Sequence, residues 1–187
     1  PAVDKIAFTL TIYESEARRQ NFSRVNQVYI RFVNPASQQE IIRYDLGNSF
    51  SVESAIVIGE LYRYNGEWKF SAIGAGYAGG LHALCASYGV VVKEEPPPPP
   101  APPKQETVQP TINLSKIELS KKGDKINLEK KSGGLGEILI NLNWNQQTAS
   151  RGFWNHGPTG TDLDLACLYE LKDGRKGLIQ ALGGTFG

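Results

Sequence analysis

Apolar residues recur along most of this chain at every second position in short runs, which is the period of half-buried β-strands rather than of helices. Lys5 to Tyr13 and Gln27 to Val33, rich in β-branched and aromatic residues, predict strands, and Ser15 to Gln20 predicts one helical turn between them. Ala55 to Tyr64 and Glu67 to Ile73 flank Asn65-Gly66, the dipeptide that supplies the positive φ values of a type I′ turn, so together they predict a β-hairpin. Leu81, Leu84, Cys85 and Tyr88 instead fall at helical spacing, and Gly89 is placed to end that helix. Further on, Ile112 to Leu119, Lys125 to Leu128, Glu137 to Trp144, Asp162 to Lys172 and Lys176 to Leu182 predict strands, the last two joined through Asp173-Gly174. Asn145 to Gly160, with Gln, Ser, Gly, Pro and the aromatics Phe153 and Trp154, predicts a long surface loop. The expected fold class is therefore mainly β, with one or two short helices.

Pro96 to Pro100, followed by Ala101, Pro102 and Pro103, interrupts the pattern, because proline removes backbone donors and fixes φ. In polyproline II form such a run spans about 25 Å at roughly 3.1 Å per residue. It divides the chain into an expected first module over 1–92, a proline-rich linker over 93–110 and a second module over 111–187. Composition narrows function. With 20 basic and 19 acidic residues the formal net charge is +1, too small a field to recruit nucleic acid or an anionic membrane by charge alone. No apolar stretch approaches the roughly 18 residues of a membrane-spanning helix, and Pro1 to Tyr13 lacks the layout of a signal peptide, so a cytoplasmic location is expected. Cys85 and Cys167 sit far apart inside apolar runs and read as free buried thiols, with a single bridge as the alternative. The absence of methionine and the opening at Pro1 suggest a segment of a longer chain.

Three constellations carry candidate chemistry. Gly74-Ala75-Gly76-Tyr77-Ala78-Gly79 is a formal dinucleotide-binding fingerprint, but its preceding strand alternates Trp68, Phe70, Ala72 with Lys69, Ser71, whereas the first strand of such a site is continuously apolar. Tight turning is the competing explanation, and a dinucleotide-binding enzyme fragment is the least favoured function. Thr161-Asp162-Leu163-Asp164-Leu165 places Asp162 and Asp164 at i and i+2 on a strand, hence on one face, with Leu163, Leu165 and Cys167 on the other. Either this is a solvated strand end, or an oxygen-seeking divalent cation relieves the repulsion. His82 and Cys85 lie three apart on the short helix, but neither a third ligand nor an orienting carboxylate is near them in sequence, and His156 is similarly isolated. Lys116, Lys121, Lys122, Lys125, Lys130 and Lys131 interleave with Glu118, Asp124 and Glu129 and read as a solvated face.

Several of these segments resemble a known family. Gly59-Glu60-Leu61-Tyr62-Arg63, Gly66-Glu67-Trp68-Lys69-Phe70 and the run Gly74 to Leu81, with Glu16 to Phe22 and Arg43-Tyr44-Asp45-Leu46, resemble the closing half of a TerD-type tellurium-resistance domain over most of residues 1–90. Ile138 to Trp144, Asp162 to Leu165 and Tyr169 to Gly174 resemble the opening half of a second such domain, of the TerA-like kind. The resemblance implies β-sandwich modules, calcium bound in loops, and a role in bacterial stress and tellurite resistance without catalytic residues. It implies partners among other stress-system proteins, or self-association, and no nucleic acid. Asp162 and Asp164 match the first two acids of the family's calcium loop, while Ala166 stands where the third would fall, so Ca2+ binding is expected to be weak. Asn48 and Ser49 occupy a stretch that is often acidic in relatives, so no ligand is assigned there. The alternative function is a metal-free scaffold working through Phe153, Trp154 and the prolines. The two halves are expected either to pack on each other or to associate between chains, since each alone would expose sheet edges and apolar faces.

Overall fold

The computed structural model describes residues 2–35, 37–47, 49–91, 117–128, 139–146, 161–180 and 185–186. In chain order the elements are β1 (Val3–Ile12), α1 (Ser15–Arg18), β2 (Val25–Asn34), β3 (Gln39–Asp45), β4 (Ala55–Tyr64), β5 (Glu67–Tyr77) and α2 (Gly80–Ser87). They continue with β6 (Ile117–Leu119), β7 (Lys125–Asn127), β8 (Leu139–Gln146), β9 (Leu163–Leu171), β10 (Lys176–Gln180) and β11 (Thr185–Phe186). The molecule is mainly β, as the alternation predicts. The β4–β5 hairpin turns at Asn65 (φ 54°) and Gly66 (φ 85°), with Tyr64 paired to Glu67, and α2 is closed by Gly89 (φ 71°), whose N–H donates to the Ala86 carbonyl at 3.1 Å.

Two sheets form. One runs β11-β10-β9-β1-β4-β5-β7, antiparallel throughout; the other runs β6-β3-β2-β8, with only β6 parallel to its neighbour. Strands from both sides of residues 92–116 share each sheet: β9 lies against β1, and β8 against β2. The proline run and the 93–110 linker fall outside the described residues, as do 147–160 with Phe153, Trp154 and His156. Asn145 and Gln146, expected in that loop, end β8 instead.

The sheets face each other across Phe8, Leu10, Ile30, Phe32, Ile42, Ile56, Ile58 and Phe70. Phe32 bridges the layers, its ring centroid 6.0 Å from Phe8 and 4.8 Å from Phe70, both edge-on, the geometry that ring quadrupoles prefer. Gly59 makes room for this contact, since a Cβ there would sit 2.5 Å from the Phe70 ring and 2.8 Å from the Ser71 carbonyl. On the other face of the seven-stranded sheet, α2 sets Leu84 and Cys85 among Ala7, Ala55, Val57, Ala166, Leu168 and Leu178. Three alanines in that floor let the helix come close.

Candidate functional site

One end of the sandwich gathers the connections after β1 and β3 and those before β2, β4 and β9. There the β1–β9 ladder pairs Thr11 with Asp164 and Ile12 with Leu163, and the Tyr13 N–H donates to the Asp162 carbonyl at 3.0 Å. Leu163, Leu165 and Cys167 pack toward the inter-sheet core while Ala166 joins the cluster under α2, so Asp162 and Asp164 project together on the α2 side. Asp164 is the second residue of β9, and Asp162 immediately precedes the strand.

Asp162 is exposed and Asp164 half-buried. Burial first, and then the Asp162 charge, push the Asp164 carboxyl above its usual range, so the two acids feel each other. Among the described residues no lysine or arginine lies within ion-pair distance of either. Thr11, only 7% exposed, stands directly across the ladder from Asp164. Beside them the Arg18 guanidinium lies 5.0 Å from the Tyr13 ring centroid and 3.4 Å from the Glu14 carboxylate. Partial burial, then Glu14 and more weakly Asp164, raise the Tyr13 hydroxyl above its ordinary value, with Arg18 opposing them. Glu14 itself sits at φ 48°, the left-handed turn that opens α1.

The donor set suits a hard cation in kind, being carboxylate oxygen, but not in number. Among the described residues no three His, Cys, Asp or Glu side chains converge. Calcium takes six to eight oxygens, more than the two carboxylates of this pair supply. Asn48 lies outside the described residues, and Ser49 is exposed.

The other candidates separate. Gly74 and Gly76 belong to β5, which is antiparallel to β4 and β7, so the glycine run lacks the parallel strand–helix frame that would present a pyrophosphate to a helix N-terminus. Gly74 (φ 58°) closes on the Tyr44 hydroxyl instead. His82 is exposed and Cys85 buried, its thiol pushed up to about 11 by burial, which leaves no activated nucleophile there. Cys167 is likewise pushed up to about 11, and both cysteines are free thiols. Lys121, Lys122 and Lys125 are exposed, while Lys116, Lys130, Lys131 and Glu129 lie outside the described residues.

Two polar constellations escaped sequence reasoning. Glu53 accepts the N–H groups of Ser51 and Val52 at 2.7 and 3.0 Å, which together hold its carboxyl below its usual range and fix the loop before β4. Tyr88 donates to Glu60 at 2.8 Å, with Lys5 3.8 Å from the same carboxylate. The alternation of β4 puts Glu60 on the α2 face, but nothing in the sequence names its partner 28 residues on.

Residues 1–88 match the TerD domain. The chain is 56% identical over 90 residues to General stress protein 16U of Bacillus subtilis (strain 168), covering 48% of this chain and 47% of that protein. It is 56% identical over 88 residues to Tellurium resistance protein TerD of Serratia marcescens, covering 47% and 46%. Tellurium resistance protein TerA of Alcaligenes sp aligns over 191 residues at 41% identity, covering 100% of this chain and 54% of that protein. The chain thus spans about half the length of these relatives.

Proposed function

With residues 1–88 a TerD domain and with TerD and TerA tellurium-resistance proteins as homologues, we propose that this chain acts in bacterial stress and tellurite resistance by binding calcium, without catalysing a reaction. The observation that carries the metal reading is the pair Asp162 and Asp164 at the start of β9, close enough for the Asp162 charge to act on Asp164, with no lysine or arginine within ion-pair distance of either among the described residues. Asp162 and Asp164 would hold the ion, which would supply the charge the pair lacks and draw β9 and the segment before it together. Two carboxylates make a weak site, at about 10⁻⁴–10⁻³ M, the weak end of the range over which ligand charge count and site rigidity tune calcium affinity. The protein works in the cytoplasm, with other stress-system proteins or further copies of itself as partners. No helix among the described residues is long and apolar enough to cross a membrane.

A metal-free scaffold is the second reading, favoured by the lack of a third converging carboxylate among the described residues. A calcium titration followed by amide NMR separates the two. Shifts centred on 161–166 and Thr11, lost in Asp162→Asn, support calcium; unchanged spectra at millimolar calcium leave the scaffold.

A further inference from the structure

On the outer face of the seven-stranded sheet, α2 covers only part of the surface. Beside it the register lines up Glu170, Lys5, Tyr62, Lys69 and Asn127 across β9, β1, β4, β5 and β7, and in the next row Ala7, Glu60, Ser71 and Lys125. Directly opposed residues share a face, so these side chains form one patch. Its acids are engaged: Glu60 by Tyr88 and Lys5, Glu67 by the Asn127 amide at 2.7 Å, Glu170 by Lys176 at 3.6 Å. Lys69 and Lys125 have no carboxylate within ion-pair distance among the described residues. Their ammonium groups lie over aromatic rings instead, Lys69 4.6 Å from the Tyr64 centroid and Lys125 6.0 Å from that of Tyr62. Ser71, between Glu60 and Lys125 in its row, is small enough to let Lys125 reach across. Tyr64 is 56% exposed.

Two tyrosine rings flanked by two lysines without a carboxylate partner among the described residues suit a ligand that is both acidic and rich in proline, since extended proline segments dock on aromatic-lined surfaces and carboxylates complement the lysines. The chain carries that chemistry in Glu94-Glu95-Pro96 to Pro100 and on to Pro103. The last residues described before that sequence lie beside the patch. Val90 is buried with Leu168 and Leu178, and Tyr88 sits on Glu60, two residues from Tyr62 along β4, just before the described chain stops at Val91. The next described residues form β6 in the four-stranded sheet, and Lys125–Asn127 then joins the far edge of this sheet as β7. We propose that the Tyr62–Tyr64–Lys69–Lys125 face is the docking surface for the chain's own acidic proline sequence, Glu94 to Pro103, within one molecule.

The test compares the full chain with Glu94→Lys/Glu95→Lys, two changes outside both described core clusters. Side-chain and amide NMR should show the Tyr62 and Tyr64 rings and the Lys69 and Lys125 resonances shifting in the variant. The wild-type positions should be unaffected by dilution and lost on raising salt from about 0.1 to about 1 M, where the Debye length falls from about 10 to about 3 Å. Adding Lys69→Glu/Lys125→Glu to the variant should bring the tyrosine rings back toward their wild-type shifts, a rescue that a general disturbance of the fold would not give. Tyrosine rings that are identical in wild type and variant overturn the proposal, as do changes confined to another face. Wild-type shifts that vanish on dilution overturn it too, by assigning the occupant to a second copy.

Discussion

At the scale of single residues, Asp164 carries the tension in the structure. Burial and the neighbouring Asp162 charge raise its carboxyl above the ordinary aspartate value, so the folded state holds this proton more tightly than the unfolded chain does. Stability from this group is full below the unfolded pKa, about 3.9, and is lost as pH rises through the higher folded value. In calcium-free solution Asp164→Asn should therefore be more stable than wild type at neutral pH, with the difference shrinking as pH falls toward 4, as urea midpoints at several pH values would show. A variant less stable than wild type at pH 7 would mean that the Asp164 charge is compensated. The face this residue occupies was legible, because the alternation of Leu163, Leu165 and Cys167 with Asp162 and Asp164 needs only the two-residue period of a strand. Tyr13, Glu14 and Arg18 around it were not, because their meeting depends on a left-handed turn at Glu14, a conformation glutamate rarely announces.

Among the elements, those specified by local chemistry were legible and those specified by their neighbours were not. Asn65-Gly66 fixes the β4–β5 hairpin within four residues, and Gly89 ends α2. β3, by contrast, went unread: Gln39 to Asp45 mixes Glu40, Arg43 and Asp45 with its apolar residues, and it is a strand because Ile42 and Tyr44 reach the core between β2 and β6. Its outward Arg43 is bidentate to Asp45 at 2.9 and 2.8 Å within the strand and lies 3.5 Å from the Tyr29 ring, a contact that exists only once β2 is alongside. Gly59 is likewise a demand of the assembled sheets. Gly59→Ala should cost about 1–3 kcal/mol, because the Phe70 ring and the Ser71 carbonyl must both retreat. A change below about 0.5 kcal/mol in chemical denaturation would show that the Phe32–Phe70 contact is slack.

At the scale of the whole molecule, the pairing of β1 with β9 joins residues more than 150 positions apart, as in the Thr9 hydroxyl's bond to the Ala166 carbonyl at 3.1 Å. No sequence period encodes a partner at that distance, so the alternation showed that strands exist without showing which strands meet. Since β9 lies between β1 and β10 in one sheet, the amides of Phe8, Leu10, Leu165 and Cys167 should exchange with solvent through one common opening. Earlier exchange of β9 alone would mean that the two parts open independently. The same pairing carries the aspartate pair to the end of a sandwich built largely from residues 1–88, and that juxtaposition is what the calcium reading rests on. The most direct test is the thermal midpoint of the chain with and without calcium, for wild type and for Asp162→Asn/Asp164→Asn. Calcium at about 100 times its dissociation constant should stabilise the wild type by roughly 2.7 kcal/mol and leave the double variant unmoved. An equal shift in both proteins, or none in the wild type, would contradict the assignment of calcium to these two side chains.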